Sequence, residues 1–375
     1  MKVALVYDRV NKWGGAERVL LALHALFPQA PLFTSVYSPE KAQWAKAITI
    51  VPSFLNNFPF ASSSHEAYAL FMPATFESFS FDAYDVVISV TSEAAKGIVT
   101  KPSTKHICYC LTPTRYLWSG YDTYFSNPFL KTFAYPAISY LKTWDSIAAK
   151  RPDAYVAISQ TVRERIKKYY DRESIVIYPP VELAFSSVAS SAQLRKKQLN
   201  ANYLDAKRSS YFLIVSRLVS YKRIDIAIAA CNALQLPLKI IGIGHEEEKL
   251  RKIAGPTIEF LGNLTDTELL EYYRNCRALL FPGEEDFGLV IVEAQRFGKP
   301  VIAFKAGGAI ETIIEGKTGL FFYPQKVSAL KKALYEFPKH EFHAKDCIKQ
   351  AEKFSTDRFK NSFLSFIQQL TSAGL

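Results

Sequence analysis

The strongest constraint in this chain is a repeated alternation of short runs apolar on both faces with longer helix-patterned or mixed stretches. Residues 2–7 form such a run, Gly14 and Gly15 mark the turn behind it, and 16–26 carries helical spacing. Similar runs recur at 85–90, 106–110, 154–159 and 174–178, with a helical stretch at 161–169. Strands apolar on both sides need cover on both sides, which a parallel sheet wrapped by helices supplies. Tyr178-Pro179-Pro180 stops the last run, and 185–210 is rich in serine, alanine and lysine without an apolar period, which predicts a domain boundary. The alternation then restarts, with strands expected at 211–216, 237–242, 257–261, 278–282, 300–304 and 320–323. Helices are expected at 222–234, 246–253, 266–275 and 289–297. Residues 355–370 read as an amphipathic helix with Phe359, Phe363, Phe366 and Ile367 on one stripe. The expectation is α/β: two doubly wound domains, 1–180 and 181–354, facing across a cleft, with 355–375 docking back on one of them. Ligands of such sheets bind outside the carboxyl ends of the strands.

The 375 residues, 49% hydrophobic and 22% charged, are enough for two cores without a disulfide or metal staple. The longest charge-free stretch, 47–64, is broken by Pro52, Asn56, Asn57, Pro59 and serines, so no segment offers the roughly 20 apolar residues that span a bilayer. Lys2 precedes too short an apolar run for a secretory leader, and a cytoplasmic location is expected. Cys108, Cys110, Cys231, Cys276 and Cys347 are odd in number and lie mostly in apolar runs, as reduced core residues do. The net charge of +11 is spread over both halves and favours an anionic partner: a phospholipid surface, a nucleotide or a nucleic acid.

After the run at 278–282, Glu285 falls in the loop at a strand end and Glu293 inside the following helix, seven residues intervening. Each ionised carboxylate can accept two hydroxyl hydrogen bonds, so one can grip a sugar diol and the other a ribose diol. The backbone amides of Phe287, Gly288 and Leu289 open that helix and can donate to hydroxyl or phosphate oxygens. A solvated helix face is the bland alternative for Glu293, opposed by its flanks Val290, Ile291, Val292 and Ala294. Arg217 and Lys222 follow the run at 211–216, in reach of the same edge, and could neutralise a leaving diphosphate. Gly242 and Gly244 mark a tight turn without the third glycine of a dinucleotide fingerprint, and Glu246, Glu247 and Glu248 would repel a pyrophosphate there. In the first half, Gly14 and Gly15 can admit a phosphate or an acceptor, or serve only as a turn. Arg115, Tyr116 and Trp118 open an aromatic stretch reaching Trp144, interspersed with Lys131 and Lys142. Such a mixture suits a membrane interface or a carbohydrate acceptor, or else plain packing.

In order and spacing, Arg217-Leu-Val-Ser-Tyr-Lys222-Arg223, Phe260-Leu-Gly-Asn-Leu264, Glu285-Asp286-Phe-Gly-Leu-x-x-x-Glu293-Ala and Gly307-Gly308 resemble the retaining glycosyltransferases of family 4. Gly14-Gly15-Ala-Glu17-Arg18, the stretch from Tyr109 to Trp118 and Tyr178-Pro-Pro-Val-Glu182 look like bacterial mannosyltransferases of surface-polysaccharide assembly. The resemblance implies a GT-B fold of two facing Rossmann-like domains and a metal-independent hexosyltransferase with no cofactor beyond its nucleotide-sugar co-substrate, GDP-mannose being expected. It implies that Arg217 and Lys222 hold the diphosphate, Glu285 with the 287–289 amides the hexose, and Glu293 the ribose. Gly15, Gly244, Leu264 and Asp286 complete the expected donor site; Gly14, Arg115, Tyr116 and Trp118 are expected on the acceptor side. Leu111 stands where many relatives have histidine, and Asp286 where glycine or proline is common. The implied acceptor is a lipid-linked oligosaccharide at the inner face of a membrane, to which the basic and aromatic first domain would bind peripherally. A UDP-linked hexose is the rival donor. A non-catalytic basic protein binding nucleic acid or membrane is disfavoured by the lack of a basic stripe, and a dehydrogenase by the glycine pattern after Pro237.

Overall fold

A computed structural model describes residues 1–125, 128–181 and 211–372. The chain divides into two compact units, Met1–Pro180 with Thr356–Leu375, and Val181–Ser355. The expected linker at 185–210 and Glu182 lie outside the described residues.

The first unit holds seven parallel strands: β1 (Val3–Tyr7), β2 (Leu32–Thr34), β3 (Ile50–Pro52), β4 (Val86–Thr91), β5 (Lys105–Cys110), β6 (Ala154–Ala157) and β7 (Ile175–Val176). Their order is β3-β2-β1-β4-β5-β6-β7. The second unit holds β8 (Phe212–Val215), β9 (Leu238–Ile241), β10 (Ile258–Gly262), β11 (Ala278–Phe281), β12 (Val301–Phe304) and β13 (Gly319–Phe322), ordered β10-β9-β8-β11-β12-β13 and again parallel. Both units are therefore Rossmann-like α/β domains, and each strand order reverses once, between β1 and β4 and between β8 and β11.

Alternate side chains on one strand reach opposite faces, and the second unit shows the consequence. Leu280 and Ile302 pack with Phe212, Leu238 and the helices Ile224–Leu234 and Val327–Glu336. Their strand neighbours Leu279, Val301 and Ala303 pack with Tyr273, Ile291 and Phe297 on the other face. Each fully buried leucine or isoleucine contributes about 1.5–3 kcal/mol, so double-sided burial of the strands is the main term holding the sheet. Helix starts follow local chemistry: Thr265 and Glu268 form a reciprocal capping box before Asp266–Asn275, and the Ser159 hydroxyl accepts the Val162 amide before Gln160–Tyr170.

The C-terminal helix, Thr356–Ser372, buries Phe359, Phe363 and Ile367 and sets the first two rings 5.9 and 6.2 Å from Tyr109 of β5, within the first unit. Phe366 stays only half-buried. All five cysteines are free and buried, and burial pushes the Cys231, Cys276 and Cys347 thiols up to about 12. The sequence reading omitted β2, β3 and the helices Pro128–Ala148, Val327–Glu336 and Ala344–Ala351. Among the described residues no helix is long and apolar enough to cross a membrane.

Candidate functional site

The reversal of strand order between β8 and β11 sets their following loops side by side at the carboxyl edge of the second sheet. The contact is backbone on backbone: a Cβ at Gly283 would lie 2.8 Å from the Cα of Lys222 and 2.9 Å from its carbonyl oxygen. Lys222 ends a single 3-10 turn, Ser220–Lys222, and Arg223 then adopts a left-handed φ of 50°, which turns the chain into the helix Ile224–Leu234. Lys222 is only 8% exposed, and its ammonium pairs with Oε1 of Glu285. The same ammonium lies 5.2 Å from the centre of the Tyr221 ring, whose hydroxyl accepts a 2.8 Å hydrogen bond from the Arg217 guanidinium. Arg217, Tyr221, Lys222 and Glu285 thus form one connected set.

Glycines close the rest of this edge. The Glu285 carbonyl accepts the Gly308 amide at 2.9 Å, and a Cβ at Gly307, whose φ is 57°, would stand 2.2 Å from that same oxygen. Behind β9, Cβ atoms at Gly242 and Gly244 would lie 1.9 and 2.2 Å from the carbonyl oxygens of Ser216 and Leu218. The close passage of the β8 loop therefore accounts for Gly244 on packing grounds alone. Phe287 turns its ring inward, edge-on to Phe354 at 5.3 Å, so it meets the loop surface through its backbone. Gly288, with φ 83°, precedes the helix Leu289–Arg296, and its carbonyl accepts the Ile291 amide. The amides at the start of such a helix carry partial positive charge and suit an anion or a hydroxyl oxygen.

Glu293 is 2% exposed, and its Oε2 accepts the Tyr273 hydroxyl at 2.7 Å. Tyr273 in turn stacks on Phe297 with centroids 5.6 Å apart. A solvated face is thereby excluded for Glu293, and Tyr273 is a partner that the sequence reading did not name. Asp286 is half-buried, and Leu264, past the end of β10, packs half-buried against the cluster containing Leu279 and Ile291.

The remaining candidates belong to the first unit. Gly15 begins the helix Gly15–Leu26, and a Cβ at Gly14 would lie 3.1 Å from Oε2 of Glu17, a buried carboxylate that accepts the Tyr7 hydroxyl at 2.7 Å. Arg115 and Tyr116 are half-buried. Trp118 donates its indole N–H to Asp145 at 2.7 Å, stacks on Tyr169 at 5.4 Å and carries the Lys142 ammonium 4.7 Å from its ring centre. Its polar atom and both neighbours are thus internal to the unit. Asp145 also takes the buried Lys96 ammonium at 2.5 Å and the Thr114 hydroxyl at 2.9 Å. Sequence reasoning missed this network, whose members lie 49 and 31 positions apart. It also missed Asp8 at the end of β1. The carboxylate of Asp8 accepts the amides of Ser92, Ala94 and Ala95 and so ties the loops after β1 and β4, while burial and Glu93 raise its pKa. The polar residue directly after an apolar run was the available signal. Among the described residues no group of three or more His, Cys, Asp or Glu is placed to hold a metal ion.

Residues 196–354 match the family described as glycosyl transferases group 1. Over 210 residues the chain is 29% identical to O-antigen chain mannosyltransferase C of Escherichia coli, covering 54% of this chain and 53% of that protein. Over 221 residues it is 24% identical to the D-rhamnosyltransferase WbpZ of Pseudomonas aeruginosa, covering 57% and 55%. The chain spans about half the length of these curated relatives. Among solved structures, Anabaena Alr3699/HepE in complex with UDP superposes with a TM-score of 0.70 at 19% identity, over 98% of this chain and all of that one. Sucrose-phosphate synthase from Thermosynechococcus elongatus gives 0.72 at 16% identity over the full length of both chains. At such identities the likeness concerns the fold alone.

Proposed function

We propose that this chain is a glycosyltransferase that moves a hexose from a nucleotide diphosphate sugar to a saccharide acceptor, using the edge of the second sheet as its donor site. The observation that carries the reading is the connected set Arg217, Tyr221, Lys222 and Glu285 where the strand order reverses. When the bond between the hexose C1 and the phosphate oxygen breaks, negative charge builds on the departing diphosphate, and Arg217 and Lys222 supply fixed charge against it. Glu285 positions the Lys222 ammonium and has a second oxygen with which to accept a hexose hydroxyl. The 287–289 amides bind further hexose oxygens, and Glu293, oriented by Tyr273, accepts from the ribose. Transfer with retention places the acceptor oxygen on the face the phosphate leaves, and the acceptor proton passes to that phosphate.

The finer reading is mannose from GDP-mannose, delivered to a lipid-linked oligosaccharide in surface-polysaccharide assembly. The mannosyltransferase and rhamnosyltransferase among the relatives support it. A UDP-linked hexose is the second reading, favoured by the likeness to a structure holding UDP and glucose. Radiolabelled transfer from GDP-mannose, UDP-glucose and UDP-galactose by the wild type and by Glu285→Gln separates these readings. One donor is expected to be used, and the variant to lose about 10²–10³ in kcat with that donor. Undiminished transfer by Glu285→Gln refutes the assignment.

A further inference from the structure

The loop that follows β8 carries three cations, Arg217, Lys222 and Arg223, and each meets different chemistry. Arg223 forks onto Asp225, its Nε and Nη2 lying 3.1 and 3.0 Å from the two carboxylate oxygens, so its charge is matched locally. Lys222 is paired with Glu285. Arg217 has neither arrangement: its Nη2 donates at 2.8 Å to the Tyr221 hydroxyl, and among the described residues no carboxylate pairs with it. A phenol is a neutral acceptor. It fixes the direction of a guanidinium without cancelling the charge, whereas an acid in the same place would do both.

Tyr221 reaches the second cation through its ring. The Lys222 ammonium lies over that ring, 5.2 Å from its centre, where the negative face attracts it, again without neutralising it. One side chain therefore touches both cations, the hydroxyl one and the ring the other. The backbone beneath is fixed at either end. Leu218 is wholly buried and its amide donates to the Ile243 carbonyl at 2.9 Å, while the amides of Lys222 and Arg223 donate to the carbonyls of Val219 and Ser220 at 3.1 Å. The Arg217 side chain, by contrast, is exposed and long, so rotamer freedom decides where its charge lies. A cation that moves freely on the surface loses that freedom when a ligand arrives, and one already held binds more tightly for having lost it beforehand.

We infer that Tyr221 is a positioning residue: it holds the Arg217 guanidinium and the Lys222 ammonium in place before a nucleotide diphosphate binds, and it does so without neutralising either. The inference rests on the proposed donor site and adds to it a residue whose effect passes through the two cations. Phenylalanine at this position keeps the ring and loses the hydroxyl, and leucine loses both, so the two contacts can be removed one at a time.

The test has two arms, one of which needs no nucleotide. In the ligand-free protein, nitrogen relaxation of the Arg217 side chain is expected to report a restrained guanidinium in the wild type and a mobile one in Tyr221→Phe, with the Arg223 signal, held by Asp225, unchanged. The second arm is calorimetric titration of GDP and of UDP. For whichever binds the wild type, Tyr221→Phe is expected to weaken binding about three- to tenfold, the range for one lost hydrogen bond, and Tyr221→Leu to weaken it further. Tyr221→Phe added to Arg217→Ala is expected to cause no further loss, because the partner through which it acts is gone. A tyrosine needed only for packing would weaken binding equally in both backgrounds, and that outcome overturns the inference. So does an Arg217 side chain as mobile in the wild type as in Tyr221→Phe, or full affinity in Tyr221→Phe while Arg217→Ala is impaired. Failure of the wild type to bind either nucleotide, or full affinity in Arg217→Ala, counts instead against the donor site itself, and the inference falls with it.

Discussion

Gly308→Ala isolates the loop that carries Glu285 from the chemistry of Glu285 itself. The native φ at Gly308 is −64°, which alanine adopts without strain, so the whole effect must come from the added methyl. That carbon would stand 2.3 Å from the Cα of Phe287 and 2.4 Å from its carbonyl oxygen. Both are backbone atoms, with no side-chain torsion to swing aside. Ordinary contact needs about 3.4 Å or more, so the loop or the glycine turn must move by about 1 Å, and a misplacement of that size costs on the order of 10²-fold in rate. Gly316→Ala is the matched control: its φ of 74° imposes about 1–2 kcal/mol of backbone strain, but no atom lies within 4 Å of the new methyl. Kinetics of transfer from the preferred sugar nucleotide, together with urea unfolding, distinguish the two variants. Gly308→Ala is expected to lose kcat/KM about 10²-fold, whereas Gly316→Ala is expected to lose stability and keep its rate. A fully active Gly308→Ala protein would show that the loop need not be held in this position, and the reasoning from its packing would fail.

Three further outcomes follow from the same structure. Leu280→Ala, at a position buried in the β11 core, is expected to lower the unfolding free energy by about 2–5 kcal/mol in a urea titration. Tyr273→Phe removes the hydroxyl that Glu293 accepts, and is expected to weaken nucleotide binding by about three- to tenfold in calorimetry while hexose transfer at saturating donor changes little. His106 is wholly buried, with Nε2 2.8 Å from the Ser89 hydroxyl, and burial reinforced by Arg151 and Arg172 holds its pKa down to about 3. The unfolded chain takes up this proton below about pH 6.5 and the folded one does not, so the neutral histidine's contribution is full above that value and is lost as pH falls towards 3. Between pH 7 and 5 the loss amounts to about 2 kcal/mol, and His106→Gln is expected to flatten the measured pH dependence of unfolding by that amount.

Strands were legible where both faces are apolar, because residues such as Leu279 and Leu280 each have a core to enter on opposite sides of the sheet. The three-residue strands β2 and β3 were not, since Leu-Phe-Thr and Ile-Val-Pro are too short to show a period and the second ends in proline. The helix Pro128–Ala148 was legible only as an aromatic stretch, because Pro136 lies inside it and an internal proline reads as a helix break. At the site, the adjacency of Lys222 and Glu285 was legible because both follow strands of one parallel sheet and such loops gather at one edge. The Tyr273 partner of Glu293 and the Asp145 network were not, as nothing local encodes a hydrogen bond across tens of residues.

The cations of the β8 loop are proposed to bind the diphosphate of a nucleotide. Calorimetric titration of GDP and of UDP into the wild type, Arg217→Ala and Lys222→Ala measures this binding directly. At least one nucleotide is expected to bind the wild type, with each variant about tenfold or more weaker, since a charge-assisted hydrogen bond contributes about 1.5–3 kcal/mol. Unaltered affinity in both variants, at full stability, would place the nucleotide elsewhere and contradict the account.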